Sequence, residues 1–414
     1  MTAPRSARRV DAAFIGARGH YAVPRLLSEA GILGRFFTDA YVGNKPWLEL
    51  GLRLTPPPLR PRSINRLLGR TDEAIPARSV VSYDVFGLKY WWKQQRVRSD
   101  EELIRLFVDS ATEFNRLVIN DMIEPADATY GCSGALELFE HVRTSGGSCV
   151  LEQLLAAREQ ERALLSEEKR RWPGWQPDLW IPEVDPLAER EVAEWEHANV
   201  ILAASEFVAE GLRNRGVRQS KIKLVPYGLD LSRYGPPHTP VSRPPQPLRV
   251  LFAGAVGLRK GAPYLLEALR LIGPSRVEGR FAGKVELGRD KLAPYTSVAR
   301  FLGAVPRNQM PQLFRWADVF VFPTVCDGFG FVQAEAIASG VPVIATPNCG
   351  SVVRDGIDGH IVPIGDAKEL ARALEGYIEQ PNHLNRQKSE AYAGRDRLGL
   401  ESYGNRLIEA LREL

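Results

Sequence analysis

Two acids eight residues apart, Asp327 and Glu335, stand among small and apolar neighbours in the stretch CDGFGFVQAEAIASGVPVIAT (326–346). A carboxylate is costly in such company unless something there accepts its charge or its hydrogen bonds. The run DVFVFPT reads as a buried strand ending at Thr324, and VCDGFG as a turn whose Gly328 and Gly330 permit tight backbone geometry. VQAEAIASG reads as a helix closed by Gly340. That order puts Asp327 at the carboxyl end of a strand and Glu335 one turn inside a helix, on the face of Phe331. Both acids are then placed to accept hydrogen bonds from the hydroxyls of a sugar or a ribose. The alternative is a helix cap for Asp327 and a salt-bridged surface acid for Glu335, although no cation lies within one helical turn of Glu335.

A second group precedes it. After LRVLFAG the turn AVGLRKGAPY carries Gly257, Arg259, Lys260 and Gly261 and opens a helix. Glycines allow close backbone approach, a helix N-terminus offers free N–H groups, and two cations follow, which together suit a phosphate or diphosphate. Neither a GxxxxGK[ST] loop nor a GxGxxG fingerprint is present, and a basic pair at an ordinary helix start is the competing reading. A third group is GARGH, after the first predicted strand, which places Gly16 and His20 at a strand-to-helix turn. His20 there either contacts a sugar or diphosphate or caps the helix that follows.

The elements that must position these groups alternate between short apolar runs and helical patterns, which argues for parallel α/β architecture. In the first half RVDAAFIGA, 127–132, 148–154, NVILAAS and KIKLVPYG read as strands. A helix is expected over 100–121 behind the N-cap Ser99. The proline-dense stretch 236–247 reads as a linker, after which strands and helices alternate again to a final amphipathic segment, 399–414. The expected architecture is therefore α/β, two Rossmann-like domains facing across a cleft, with the ligand at the carboxyl ends of the strands.

Composition narrows the partners. The chain has 414 residues with 44% hydrophobic and 25% charged content, and no run of 18 apolar residues. Four scattered cysteines, Cys132, Cys149, Cys326 and Cys349, support neither a disulfide framework nor a zinc site and fit a reducing cytoplasm. Residues 1–98 hold 17 Lys+Arg against 7 Asp+Glu, so a net +10 is concentrated there. Such charge suits phosphate, anionic lipid or an anionic glycan, or is simply a solvated basic surface. No nucleic-acid-binding motif accompanies it. KYWWKQQRVR (89–98) mixes aromatics with cations and fits either a weak peripheral membrane contact or a structural helix or hairpin. WPGWQPDLWIP (172–182) fits an acceptor pocket or core packing.

In combination these strings resemble the E-x7-E motif of the retaining glycosyltransferases of family 4, which have the GT-B fold. LVPYGLDLSRY (224–234), HANVILAASEFVAEGL (197–212), RKG (259–261), RFLGAVPRNQMPQLFRWADVFVFPT (300–324) and NCGSVVRDGIDGHIV (348–362) resemble further segments of that family, covering about residues 185 to 380. The resemblance implies an acceptor-binding domain over 1–240, a nucleotide-sugar-binding domain over 241–390, and a C-terminal helix, 391–414, crossing back to the first. It implies a metal-independent hexosyl transfer, of the kind used in polysaccharide biosynthesis, from a nucleotide-diphosphate sugar, itself a substrate, so that no cofactor is expected. The acceptor would be a sugar, a lipid-linked group or a small molecule. By motif position, Arg259 and Lys260 stabilise the leaving diphosphate and Asp327 meets the donor sugar. Glu335 holds the nucleotide ribose, while Gly328, Phe329, Gly330, Gly16 and His20 contact substrate.

Three departures stand out. The first motif acid is Asp rather than Glu, one methylene shorter; the loop DATYGCSGALEL lacks the histidine members commonly carry; and Ala255 stands where an arginine is frequent. They keep two alternatives open, a nucleotide-sugar-binding protein without turnover and an epimerase or hydrolase of the same fold.

Overall fold

A computed structural model of the chain describes residues 8–56, 60–122, 126–235, 247–350, 352–412 and 414. Two parallel sheets organise it. The first has strands β1 (Val10–Ala13), β2 (Leu33–Thr38), β3 (Val80–Ser82), β4 (Ala128–Cys132), β5 (Ser148–Gln153), β6 (Val200–Ala203) and β7 (Ile222–Leu224). Their spatial order is β3-β2-β1-β4-β5-β6-β7. The second has β8 (Leu248–Ala253), β9 (Val277–Ala282), β10 (Ala299–Gly303), β11 (Val319–Phe322), β12 (Val343–Ala345) and β13 (Gly359–Ile361), in the order β10-β9-β8-β11-β12-β13. In each sheet the winding reverses beside its first strand, between β1 and β4 and between β8 and β11. A reversal of that kind leaves a crevice outside the carboxyl ends of the strands.

The apolar runs become strands because helices cover both faces of each sheet. β1, β6, β11 and β12 are buried along their whole length, as a parallel sheet requires. The helix Asp100–Asp121 begins where its cap predicts, with the Ser99 hydroxyl accepting from the Glu102 N–H. The proline-rich stretch read as a linker lies, apart from Pro247, outside the described residues.

Two devices join the halves. The last helix, Leu400–Arg412, packs on the helix Ala22–Glu29 of the first half: Gly404 lies against Leu26, and Arg406 donates to the Pro226 carbonyl at 2.9 Å. The other is the excursion between β5 and β6. Its tryptophans pack on the second half, Trp172 on Tyr264 at 5.4 Å and Trp175 on Tyr295 at 6.1 Å between ring centres. Gln176 accepts from the Leu258 N–H at 2.8 Å. Of the two readings of 172–182, packing therefore describes Trp172 and Trp175. No helix among the described residues is long and apolar enough to cross a membrane.

The first half also buries two carboxyls on one helix, Pro186–His197. Glu194 accepts from the Gly134 N–H at 2.8 Å, and Glu191 from Gln153 at 2.7 Å and from the Arg158 N–H at 2.8 Å. Burial pushes both up to about 7, only partly offset by these donors. A carboxyl that keeps its proton longer when folded stabilises the fold below its unfolded value, about 4.3. That contribution is lost as pH rises through about 7. We therefore expect these carboxyls to lower the melting temperature between about pH 4.5 and pH 7, and Glu191→Gln/Glu194→Gln to flatten that slope. An unchanged slope in the double variant, read by circular dichroism, would refute the assignment.

Candidate functional site

The turn after β8 is welded to the end of β11. The Arg259 carbonyl accepts from the Val325 N–H at 3.0 Å and from the Thr324 hydroxyl at 3.1 Å. Gly261, at φ 65°, cannot be replaced without a clash, because a Cβ there would lie 1.9 Å from the Pro323 carbonyl oxygen. This contact brings Lys260 to Asp327, and the two form a largely buried ion pair. Burial lowers the Lys260 pKa, and the neighbouring Asp327 carboxylate opposes that shift. Asp327 also accepts from the Gly328 N–H at 2.8 Å, and its own N–H donates to the Asn348 carbonyl at 3.0 Å. Arg259 points across to the first half and pairs with Glu161 at 3.0 Å.

Glu335 does have a cation, which the local sequence did not show. Arg307, from the loop after β10, approaches its carboxylate at 3.5 Å. The same guanidinium lies 2.9 Å from His20 Nε2, so a chain Glu335–Arg307–His20 spans the cleft from one half to the other. Burial, and then the facing Arg307, lower the His20 pKa and favour its neutral form. Gly19, His20 and Tyr21 are consecutive left-handed residues, at φ 52°, 53° and 62°. Two of them are not glycine, which marks a constrained loop. Gly16, at φ 88°, anchors the start of that loop by donating to Asp39 at 2.8 Å.

These groups line two cavities. One, of about 750 Å³, is bounded by His20, Arg18, Glu152, Tyr227, Arg307 and Glu335. The other, of about 970 Å³, is bounded by Arg158, Arg162, Trp180, Arg259, Lys260 and Lys284. Beside them the two halves meet closely, since a Cβ on Gly328 would lie 1.9 Å from the Leu154 carbonyl oxygen. Asp327, one residue earlier, pairs with Lys260 of the second cavity. Phe329 turns away from both cavities. Its ring is buried and meets Tyr227 at 5.3 Å and Phe331 at 5.1 Å, within a core shared by the two halves. Gly330, at φ 63°, starts the helix Phe331–Ala338 with its Cα against the Phe322 ring.

Sequence reasoning passed over Arg307 and Glu152. Glu152, next to last in β5, lines the first cavity, buried, with the Cys132 thiol donating at 3.3 Å. Burial raises its pKa, partly opposed by Tyr130, Cys132 and Arg18. The Tyr227 hydroxyl, buried beside the same cavity, makes no hydrogen bond. The signal for Glu152 was present, since SCVLEQ sets one acid at the carboxyl end of an otherwise buried strand. For Arg307 there was none, because its partner lies in another element.

Two parallel-sheet α/β domains with charged cavities between them define the GT-B class of fold. Residues 247–380 match the family model described as Glycosyl transferases group 1, so the second half carries a domain of that family. Among curated relatives, the D-inositol 3-phosphate glycosyltransferase of Xylanimonas cellulosilytica is 30% identical over 57% of this chain and 61% of its own. That of Pseudarthrobacter chlorophenolicus is 29% identical over 44% and 48%. The chain spans about half the length of the curated relatives it matches. Solved structures match nearly end to end. Anabaena HepE in complex with UDP aligns over 98% of this chain and 100% of its own, with TM-score 0.62 and 15% identity. Sucrose-phosphate synthase from Thermosynechococcus elongatus aligns over 98% and 99%, with TM-score 0.63 and 17% identity.

The Lys260–Asp327 pair makes a direct prediction. Removing one member strands the other as a buried charge, at a cost of about 3–5 kcal/mol. Lys260→Met and Asp327→Asn should each destabilise by about that much, and the double variant by clearly less than their sum. Additive losses in denaturant unfolding would show that the two side chains do not act as a pair.

Proposed function

We propose that the protein transfers a sugar from a nucleotide-diphosphate sugar to an acceptor hydroxyl, with retention at the anomeric carbon and without a metal ion. The observation that carries this reading is the Arg259–Lys260 turn. It sets two cations at a glycine-started helix, beside Asp327 at the carboxyl end of the neighbouring strand. Negative charge develops on the departing diphosphate, and fixed cations with helix N–H groups are the groups that lower its energy. They supply the stabilisation a metal ion would otherwise give.

The charged residues assigned to the donor are each already paired within the protein. Asp327 holds Lys260, Glu161 holds Arg259, and Arg307 holds Glu335. In the proposed complex the diphosphate takes over Lys260 and Arg259, and the ribose hydroxyls replace Arg307 at Glu335. Asp327, released from Lys260, accepts from a hydroxyl of the transferred sugar. Because Asp is one methylene shorter than Glu, it reaches Lys260 while its other oxygen stays on the Gly328 N–H. The acceptor enters from the side of Glu152, His20 and Tyr227 in the first half. Exchanging internal ion pairs for ligand contacts also limits the cost of holding these charges in a dry site.

UDP-glucose, bound in one of the structural neighbours, is the first donor to test, with GDP- and ADP-sugars beside it. Calorimetry should show binding that Lys260→Ala weakens by about a hundredfold and Glu335→Gln by about tenfold, as expected for losing charge-assisted hydrogen bonds. Product analysis by NMR should show a glycoside with the donor's anomeric configuration, formed equally well in EDTA. Inversion, or dependence on a divalent ion, would overturn the corresponding part. Binding without transfer or hydrolysis would favour the non-catalytic alternative, and no nucleotide-sugar binding at all would sink the reading.

A further inference from the structure

Two helices of the first half present apolar residues to solvent rather than to the core. The helix Pro46–Arg53 follows β2 and buries none of its residues. Trp47 and Leu50, with Leu54 just past its end, fall at i, i+3 and i+7. The helix Asp84–Gln94 follows β3 and buries Phe86 and Gly87. On its opposite side Val85, Leu88 and Trp92 repeat the same spacing, which is one stripe of a helix. These six side chains are between 50% (Trp92) and 85% (Val85) exposed. The two helices start together, because Lys45, at the head of the first, pairs with Asp84, the first residue of the second, at 2.8 Å. The two exposed stripes thus begin at neighbouring helix ends.

Cations accompany them. Arg53, Lys89 and Lys93 lie on the two helices, Arg53 paired with Glu49 and Lys89 with Glu113 at 2.8 Å, and the Arg96 guanidinium covers the Trp92 ring at 3.1 Å, so Lys93 and Arg96 carry the positive charge of the patch. The acids on the same helices, Glu49 and Asp84, are each already paired with a cation, Arg53 and Lys45. The patch belongs to the portion of the chain that holds the net +10. Tryptophans and aliphatic side chains at the level of a bilayer interface, flanked by lysine and arginine, fit an anionic membrane surface. A second copy of the chain would bring the same basic surface against itself, with like charges opposed.

We propose that this face, centred on Trp47, Leu50, Leu88 and Trp92, docks the protein on an anionic lipid bilayer. Both helices leave the carboxyl ends of their strands, β2 and β3, and the first cavity opens at the carboxyl ends of β1 and β5 in the same sheet. A chain docked in this way holds that cavity beside the membrane surface. The docking itself does not depend on the proposed transfer reaction.

The test is flotation of the full chain with phosphatidylcholine vesicles, with and without about one third phosphatidylglycerol. Binding is expected to the anionic vesicles and to weaken as salt is raised from about 50 mM to about 500 mM. Trp47→Gln/Leu50→Gln/Leu88→Gln/Trp92→Gln should lose at least about tenfold in partitioning with an unchanged melting temperature, since the replaced side chains face water. Lys93→Glu/Arg96→Glu should lose binding while keeping the apolar stripes. The proposal fails if the protein ignores anionic vesicles, or if either variant binds like the parent. It fails equally if sedimentation shows a dimer that the apolar substitutions dissolve while vesicles are not bound.

Discussion

The two halves meet backbone on backbone where Gly328 lies against the carbonyl of Leu154. No side chain fits there, and that single constraint shapes the site. It holds the turn at 326–330 of the second half against the end of β5 in the first. It also fixes where Asp327 stands, one residue before the contact, with its carboxylate turned to Lys260. Around it the last helix and the tryptophan-bearing excursion hold the halves at that separation from two sides.

The charges of the site are satisfied internally. Each pair joins residues distant in sequence: Lys260 to Asp327, Arg259 to Glu161, and Glu335 to Arg307. A low-dielectric site tolerates such groups only when they are paired, so the pairs maintain the site until a ligand takes their place. One of the three pairs, Arg259–Glu161, links the two halves directly, and Arg307, paired with Glu335 in its own half, also reaches His20 in the other. Opening of the cleft and release of these cations are therefore coupled by geometry. Proteins that close two domains over a substrate gain exclusion of water in the same movement.

The outer face of the first half follows a different logic. Its apolar side chains are ordered by helical spacing but have no protein surface to cover. The same periodicity that builds a core elsewhere in the chain, as in the helix Ala262–Ile272, here faces water. Sequence periodicity reports that a helix has an apolar stripe and not what the stripe meets. For that reason KYWWKQQRVR fits both a membrane contact and a structural helix by sequence, and nothing local singles out Trp47 and Leu50.

Local features were legible in the sequence because their causes are local. Apolar runs of strand length, the Ser99 cap, the glycine turns at 257–261 and 328–330, and the acids of the opening stretch each follow from residues within a few positions. The repetition of strand and helix was enough to give two parallel-sheet halves. The tertiary structure alone decided which charges are neighbours: Asp327 on Lys260, Arg307 on Glu335, Glu152 in the lining of the first cavity. It alone turned Phe329 into the shared core, although the residue lies within the motif. The physical reason is one of range. Backbone conformation is set by steric and hydrogen-bonding terms that reach a few residues, whereas the state of a buried charge is set by whatever the folded chain places within a few ångströms of it.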